Sequence, residues 1–318
     1  MNMNLAENKK FFGKILLLGE YSIIEGGEAL TVPFESVSGY FDFPSENMPV
    51  EFSAIESNNS LKEFFSYLEA QQKEKKFKYS LDLVKLKTDL KQGMFFNSNI
   101  PQGYGAGSSG AMVAAVFFKY ARGFNLNDIL NKNSLQTIRE QLALMESSFH
   151  GSSSGLDPLS SLLSKPLWVK TGKKIIFPDL PLFSESFHYT VFLVDTGSPG
   201  NTKPLVDWYK QQVSTGQFNA ELLMALNNQV LQALLKKDKF FFECFLAQLS
   251  LFQLENMRPM IPDSIKHLWQ QGIYSGEWML KLCGSGGGGY ALGFTTDYIA
   301  TVAEFSRSGL EVIPVFRE

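Results

Sequence analysis

Apolar residues along this chain recur at two periods. Short runs bounded by glycine or by charge read as strands: Gly13–Gly19 (GKILLLG), Ala29–Phe34, Val37–Phe43, Val50–Phe52, Leu81–Leu86 and Met94–Asn99. Helical spacing covers Leu61–Lys73, Ala111–Tyr120 and Asn133–His150, the last with Leu135, Ile138, Leu142 and Met145 as an apolar stripe and Ser134 as its N-cap. Further on, His188–Asp195 reads as a strand and Pro204–Gln212 as a helix. Ala220–Gln253 is helical in two pieces divided near Lys236–Lys239, with Phe240-Phe241-Phe242 as core packing. Pro259 and Pro262 interrupt that pattern, Asp263–Gln271 resumes it, and Asp297–Ser306 is a last helix. Trp278–Cys283 and Val312–Phe316 read as strands, and Tyr290–Phe294 as a strand or helix edge. The pattern gives a mixture of α and β. Pro166 and Gly172 punctuate short strand candidates, and the domain division is expected there, as 1–168 and 169–318.

One stretch departs from both periods, Asn99–Tyr120, NIPQGYGAGSSGAMVAAVFFKY. Four glycines, Gly103, Gly105, Gly107 and Gly110, fall within eight residues. It reads as strand, glycine-rich loop and helix. Glycines let backbone N–H groups approach an anion, and the first helical turn adds unpaired donors and a positive dipole end. Together these make a phosphate cradle, although a tight turn leading into a core helix uses the same residues. Ser108 or Ser109 can cap the helix, and a serine hydroxyl here can also reach a phosphate-bound Mg²⁺. Gly105–Gly110 and Gly284–Gly289 both match G-x-G-x-x-G, so that string alone decides nothing, and no G-x-x-x-x-G-K-[ST] occurs. A dinucleotide-binding unit needs an acid about 20 residues on, at a strand end; Asp128 lies in a loop-like stretch with no strand leading to it.

Composition narrows the partners. The 318 residues, 44% apolar with 28 Phe, suffice for two cores. A net charge of −3 shows no basic excess for nucleic acid, and the run Lys73–Lys78 reads as a solvated loop. Cys244, in a core helix, and Cys283 are expected as free thiols in a reducing compartment. No apolar run approaches 18 residues and MNMNLAENKKFF lacks an apolar core, so neither membrane span nor signal peptide is expected and the setting is cytoplasmic.

Several polar residues stand out. Lys14 opens GKILLLG, where a strand-end lysine with its ammonium in water is the simple alternative to a site. Glu146 in the last turn of its helix opposes the dipole unless a cation compensates. Asp157-Pro158 suits a helix N-cap and N1 as well as it suits a site. TGSPGNTK, Thr196–Lys203, reads as a turn into a helix capped by Asn201 or Thr202.

Longer strings carry a resemblance. GKILLLGEYSIIEGGEAL, then Pro101 with Gly105-Ala106-Gly107-Ser108-Ser109, and K-L-x-G-x-G-G-G-G at Lys281–Gly289 resemble the three motifs of the GHMP kinases, with Ala106 in place of the usual Leu and Gly110 where Ala is common. Glu146, His150-Gly151, Ser154-Gly155 and Asp157 match E-x-x-x-H-G-x-x-S-G-x-D of the mevalonate kinases. Tyr21, Gly110 and the TGSPGNTK loop are similar to phosphomevalonate kinases.

The resemblance implies an α+β GHMP kinase fold, an N-terminal domain like part of a ribosomal protein followed by a ferredoxin-like domain. It implies phosphoryl transfer from ATP with Mg²⁺, a chemistry of positioning and charge neutralisation. Gly103, Gly105, Ala106, Gly107, Ser108 and Ser109 would hold the phosphates, and Ser109 and Glu146 the metal. Asp157 would take the acceptor proton, with Lys14 keeping it ionised and stabilising the transferring charge. Glu20, Tyr21, Thr202, Gly286 and Gly287 would bind the small-molecule substrate. The run carrying the acid–base residues points to mevalonate as acceptor, with phosphomevalonate, a sugar or homoserine as alternatives. A non-catalytic sensor of the same fold is opposed by the presence of Lys14, Glu146 and Asp157. No nucleic-acid or membrane partner is implied, and a homodimer is compatible with these features.

Overall fold

The computed structural model describes residues 9–45, 51–127, 132–151, 153–171, 174–180 and 187–316. Val50 of the expected strand Val50–Phe52 and the acid Asp128 lie outside the described residues, as does most of the N-terminal segment read for a leader; Phe52 opens a helix instead of closing a strand. Strand β1 runs Phe11–Leu18 and β2 runs Ala29–Asp42. The two apolar runs read as separate strands are therefore one, because Glu35-Ser36 continues the extended backbone instead of turning it. Helix α1 spans Phe52–Lys73, a turn and more beyond its expected start. Leu83–Lys91 is helix α2, not a strand: Asp82 accepts from Lys85 N–H at 3.1 Å as an N-cap, and Leu86 and Leu90 share the buried face. Strand β3 is Phe95–Ser98, α3 Ser108–Tyr120, α4 Lys132–His150 and α5 Leu156–Leu163. Since α4 begins at Lys132, Ser134 lies within its first turn rather than at its cap.

The chain divides into two units. The first comprises 1–13, 36–100 and 107–164. In it the second half of β2 pairs antiparallel with β3, Phe41 opposite Phe96, and helices α1 to α5 supply most of the core. Leu61, Phe64 and Leu68 of α1, Ile138, Leu142 and Met145 of α4, and Leu159 and Leu162 of α5 are buried. Helix α3 packs against both α4 and α5. Its buried Gly110, Ala111, Ala114 and Ala115 keep its surface low, so the neighbouring backbones come close.

The second unit comprises 14–35, 101–106 and 165–318. The first half of β2 pairs with β4 (Leu167–Val169), which pairs with β5 (Ile175–Ile176). Then follow β6 (Thr190–Asp195), α6 (Thr202–Ser214), α7 (Ala220–Leu235), α8 (Lys239–Asn256), α9 (Asp263–Ser275), β7 (Trp278–Leu282), β8 (Tyr290–Thr295), α10 (Tyr298–Arg307) and β9 (Val312–Pro314). Strands β6 to β9 form an antiparallel sheet in the order β7-β8-β6-β9, with helices between β6 and β7 and between β8 and β9. That is the β-α-β-β-α-β connection of a ferredoxin-like domain. Only Phe242 of the three-phenylalanine run is core; Phe240 and Phe241 are exposed. Three consecutive helical residues sweep about 200° and cannot share one face. Among the described residues no helix is long and apolar enough to cross a membrane.

Candidate active site

In the first unit the glycine-rich stretch ends where α3 begins. Gly107, in the left-handed region at φ 78°, turns the chain into the helix, with no side-chain cap. Ser108 and Ser109 are therefore the first two helical residues, not caps. Among the described residues the N–H groups of Gly107 and Ser108 donate to no backbone carbonyl. Such a helix start favours negative charge.

Glu146 faces this helix start from α4. It is only 4% exposed, so it is not a surface acid at a helix end. Ser109 Oγ donates to its Oε1 at 3.4 Å, and Ser153 Oγ donates to its Oε2. A buried carboxylate needs such donors, the more so against the negative end of its own helix. The pair of a carboxylate and a serine hydroxyl suits Mg²⁺, a hard cation usually held by one or two carboxylates together with phosphate and water. Among the described residues no group of three or more His, Cys, Asp or Glu could hold a metal alone. This donor set thus fits a metal that arrives with phosphate.

Asp157 is the second residue of α5, and the N-cap is Gly155 with φ 72°. The capping explanation of Asp157 falls away, because the left-handed turn at Gly155 starts the helix earlier. Two close approaches fix its place. A Cβ on Gly110 would lie 2.8 Å from the Asp157 carbonyl carbon and 2.9 Å from its Cβ, so α3 runs directly against it. A Cβ on Gly155 would lie 2.3 Å from Arg139 O, so the turn rests on α4, and Arg139 Nε donates to Ser154 O at 2.9 Å. Helices α3, α4 and α5 thereby bring Ser109, Glu146 and Asp157 together.

In the second unit Lys14 lies within β1, 6% exposed, which overturns the reading of a strand-end ammonium in water. Its N–H donates to Ala106 O at 2.9 Å. Glu20, just past β1, is bonded to Lys281 Nζ at 2.6 Å, both side chains being essentially inaccessible. Burial raises the Glu20 carboxyl above its ordinary range, and Lys281 opposes that shift. Lys281 also donates to Leu282 O at 2.6 Å. Tyr21 donates its phenol to Ser285 O at 2.7 Å, and Ser285 Oγ lies 3.0 Å from Thr202 Oγ1.

Three loops of this unit interlock through backbone. Gly200 N–H donates to Gly103 O at 2.9 Å, Gly289 N–H to Ser198 O at 2.6 Å, and Gly287 N–H to Met260 O at 2.6 Å. A Cβ on Gly289 would sit 2.6 Å from Tyr104 Cα. The third glycine run therefore needs glycine for close packing, and the Gly287 amide is already engaged. Gly286 is buried and Thr202 exposed at the start of α6. Cys283 is buried, which pushes its thiol up to about 12, so it is no nucleophile.

Ser153, Lys281 and Arg139 were not singled out as site residues in the sequence. Ser153 occupies a variable position of its motif. Lys281 lies 261 residues from Glu20, and no local pattern signals such a pair.

Known proteins share this arrangement of chain. The family described as "GHMP kinases N terminal domain" matches residues 66–165. A mevalonate kinase of Pyrococcus horikoshii is 27% identical over 309 residues, 88% of this chain and 86% of that protein. Among solved structures, L. major mevalonate kinase in complex with R-mevalonate superposes with a TM-score of 0.64 at 16% identity, covering 99% of this chain and 98% of that one. Streptococcus pneumoniae phosphomevalonate kinase in complex with phosphomevalonate and AMPPNP gives 0.60 at 15% identity, over 96% and 99%. At those identities the two structures establish the fold. Residues 66–165 thus match the N-terminal domain of the GHMP kinases, and the chain has the fold of the mevalonate and phosphomevalonate kinases it resembles.

Proposed function

We propose that this chain is an ATP-dependent phosphotransferase that moves the γ-phosphoryl group onto the hydroxyl of mevalonate, a step toward isoprenoid precursors. The observation that carries the reading is the grouping of Ser109, Glu146 and Asp157 on α3, α4 and α5, at the start of α3. The P. horikoshii mevalonate kinase, similar over most of both chains, supports mevalonate as the acceptor.

In this reading the amides of Gly103 to Ser109, with the Ser108 hydroxyl, bind the ATP phosphates. Ser109 and Glu146 would hold Mg²⁺, which when bound neutralises phosphate charge. Asp157 accepts the proton as the acceptor O–H bond breaks; the acceptor oxygen bonds to the γ-phosphorus, and the bond to the β-phosphate oxygen breaks to release ADP. Lys14 supplies positive charge to the transferring group. Glu20, Tyr21, Thr202 and the Gly286-Gly287 backbone orient the acceptor, with the Glu20 carboxylate held by Lys281. A phosphorylated acceptor is favoured by one observation, the exposed start of α6 at Thr202, whose N-cap Asn201 makes no side-chain cap bond.

ADP release measured with mevalonate, phosphomevalonate, galactose and homoserine in turn tests this. Turnover with mevalonate is expected. Turnover with phosphomevalonate alone would replace the acceptor, and no AMPPNP binding by calorimetry in Mg²⁺ would defeat the kinase reading.

A further inference from the structure

The carboxylate of Glu146 has a serine hydroxyl on each of its two oxygens. Oε1 faces Ser109, in the first turn of α3, while Oε2 takes the hydroxyl hydrogen of Ser153. Ser153 in turn accepts the Gly155 N–H on its Oγ at 2.9 Å. A serine hydroxyl has one hydrogen to give. With an incoming N–H on its lone pair, that hydrogen is directed to Oε2. The turn that carries Ser153 is itself pinned, by Arg139 Nε on Ser154 O and by the contact of Gly155 with α4.

We propose that Ser153 is a positioning residue for the metal site: by holding Oε2 it fixes the orientation of the Glu146 carboxylate beside Ser109, where Mg²⁺ would be held. This rests on the assignment of Glu146 and Ser109 to the metal. The same hydroxyl ties Glu146 to the turn two residues ahead of Asp157, so one side chain sets both the metal carboxylate and the start of α5. Outer partners of a ligating carboxylate commonly change metal affinity by 10- to 100-fold, roughly.

The test is Mn²⁺ binding in the presence of AMPPNP, read by the Mn²⁺ EPR signal, alongside melting temperature. Ser153→Ala is expected to weaken Mn²⁺ about tenfold, and Ser153→Thr, which keeps the hydroxyl, to restore it. Should Ser153→Ala not fold, Ser153→Cys, with a much weaker donor, carries the same comparison. Unchanged Mn²⁺ affinity in Ser153→Ala, with affinity lost in Glu146→Gln, overturns the role of Ser153 and leaves the metal site standing. Unchanged affinity in Glu146→Gln as well overturns the metal assignment and this proposal with it.

Discussion

Asp157 and Glu146 each had a plain structural explanation in the sequence, and the structure removes both. Asp157 does not cap α5, and Glu146 is not a solvated helix-end acid. Their spacing was legible because an eleven-residue separation survives in the chain whatever the backbone does between. The hydroxyl pair on Glu146 was not, because it depends on how the turn after α4 folds back. Glu146→Gln is expected to raise the Mg²⁺ concentration for half-maximal rate by about tenfold or more; a wild-type Mg²⁺ titration would remove the residue from the site. The two cysteines give a second check. With its thiol pushed up to about 12 and no access to solvent, Cys283 should resist iodoacetamide at pH 8 while the partly exposed Cys244 reacts. Peptide mass spectrometry showing equal labelling of both in the native protein would contradict the burial.

Among the elements, most helices and strands followed from period alone, and the failures share a cause. Leu81–Leu86 alternates like a strand, yet Asp82 offers a helix cap and the next buried residue, Leu90, completes a helical face. Ser108 and Ser134 look like caps, but Ser108 is the first residue of α3, after its cap Gly107, and Ser134 lies two residues into α4. The close packing of α3 against α5 was invisible, though the glycine that permits it was not. Gly110→Ala should cost about 1–3 kcal/mol by denaturant titration, since the added Cβ meets backbone atoms of Asp157 and Pro158 within 3 Å. A variant as stable as wild type would mean that the helices are farther apart. The Lys281–Glu20 pair makes a sharper demand. Lys281→Met alone leaves a buried carboxylate without its cation and should cost about 3–5 kcal/mol; Glu20→Leu/Lys281→Met together should recover much of that. Additive losses would show that the two residues are not coupled.

For the whole molecule, hydrophobic patterning gave only a mixture of α and β. The sheet order β7-β8-β6-β9 depends on which strands meet across more than a hundred residues, and no local signal carries that. What reached the fold from the sequence was the resemblance carried by the glycine motifs. Three of those glycines, Gly107, Gly110 and Gly289, stand where a side chain would strain the backbone or strike it. In the proposed reaction this scaffold presents Asp157 to an acceptor hydroxyl as a base. The most direct test of that role is the rate of ADP release with R-mevalonate in wild type and Asp157→Asn. The expected result is a kcat lower by at least about 100-fold in the variant, with melting temperature and AMPPNP affinity near those of wild type. Full turnover in Asp157→Asn would contradict it.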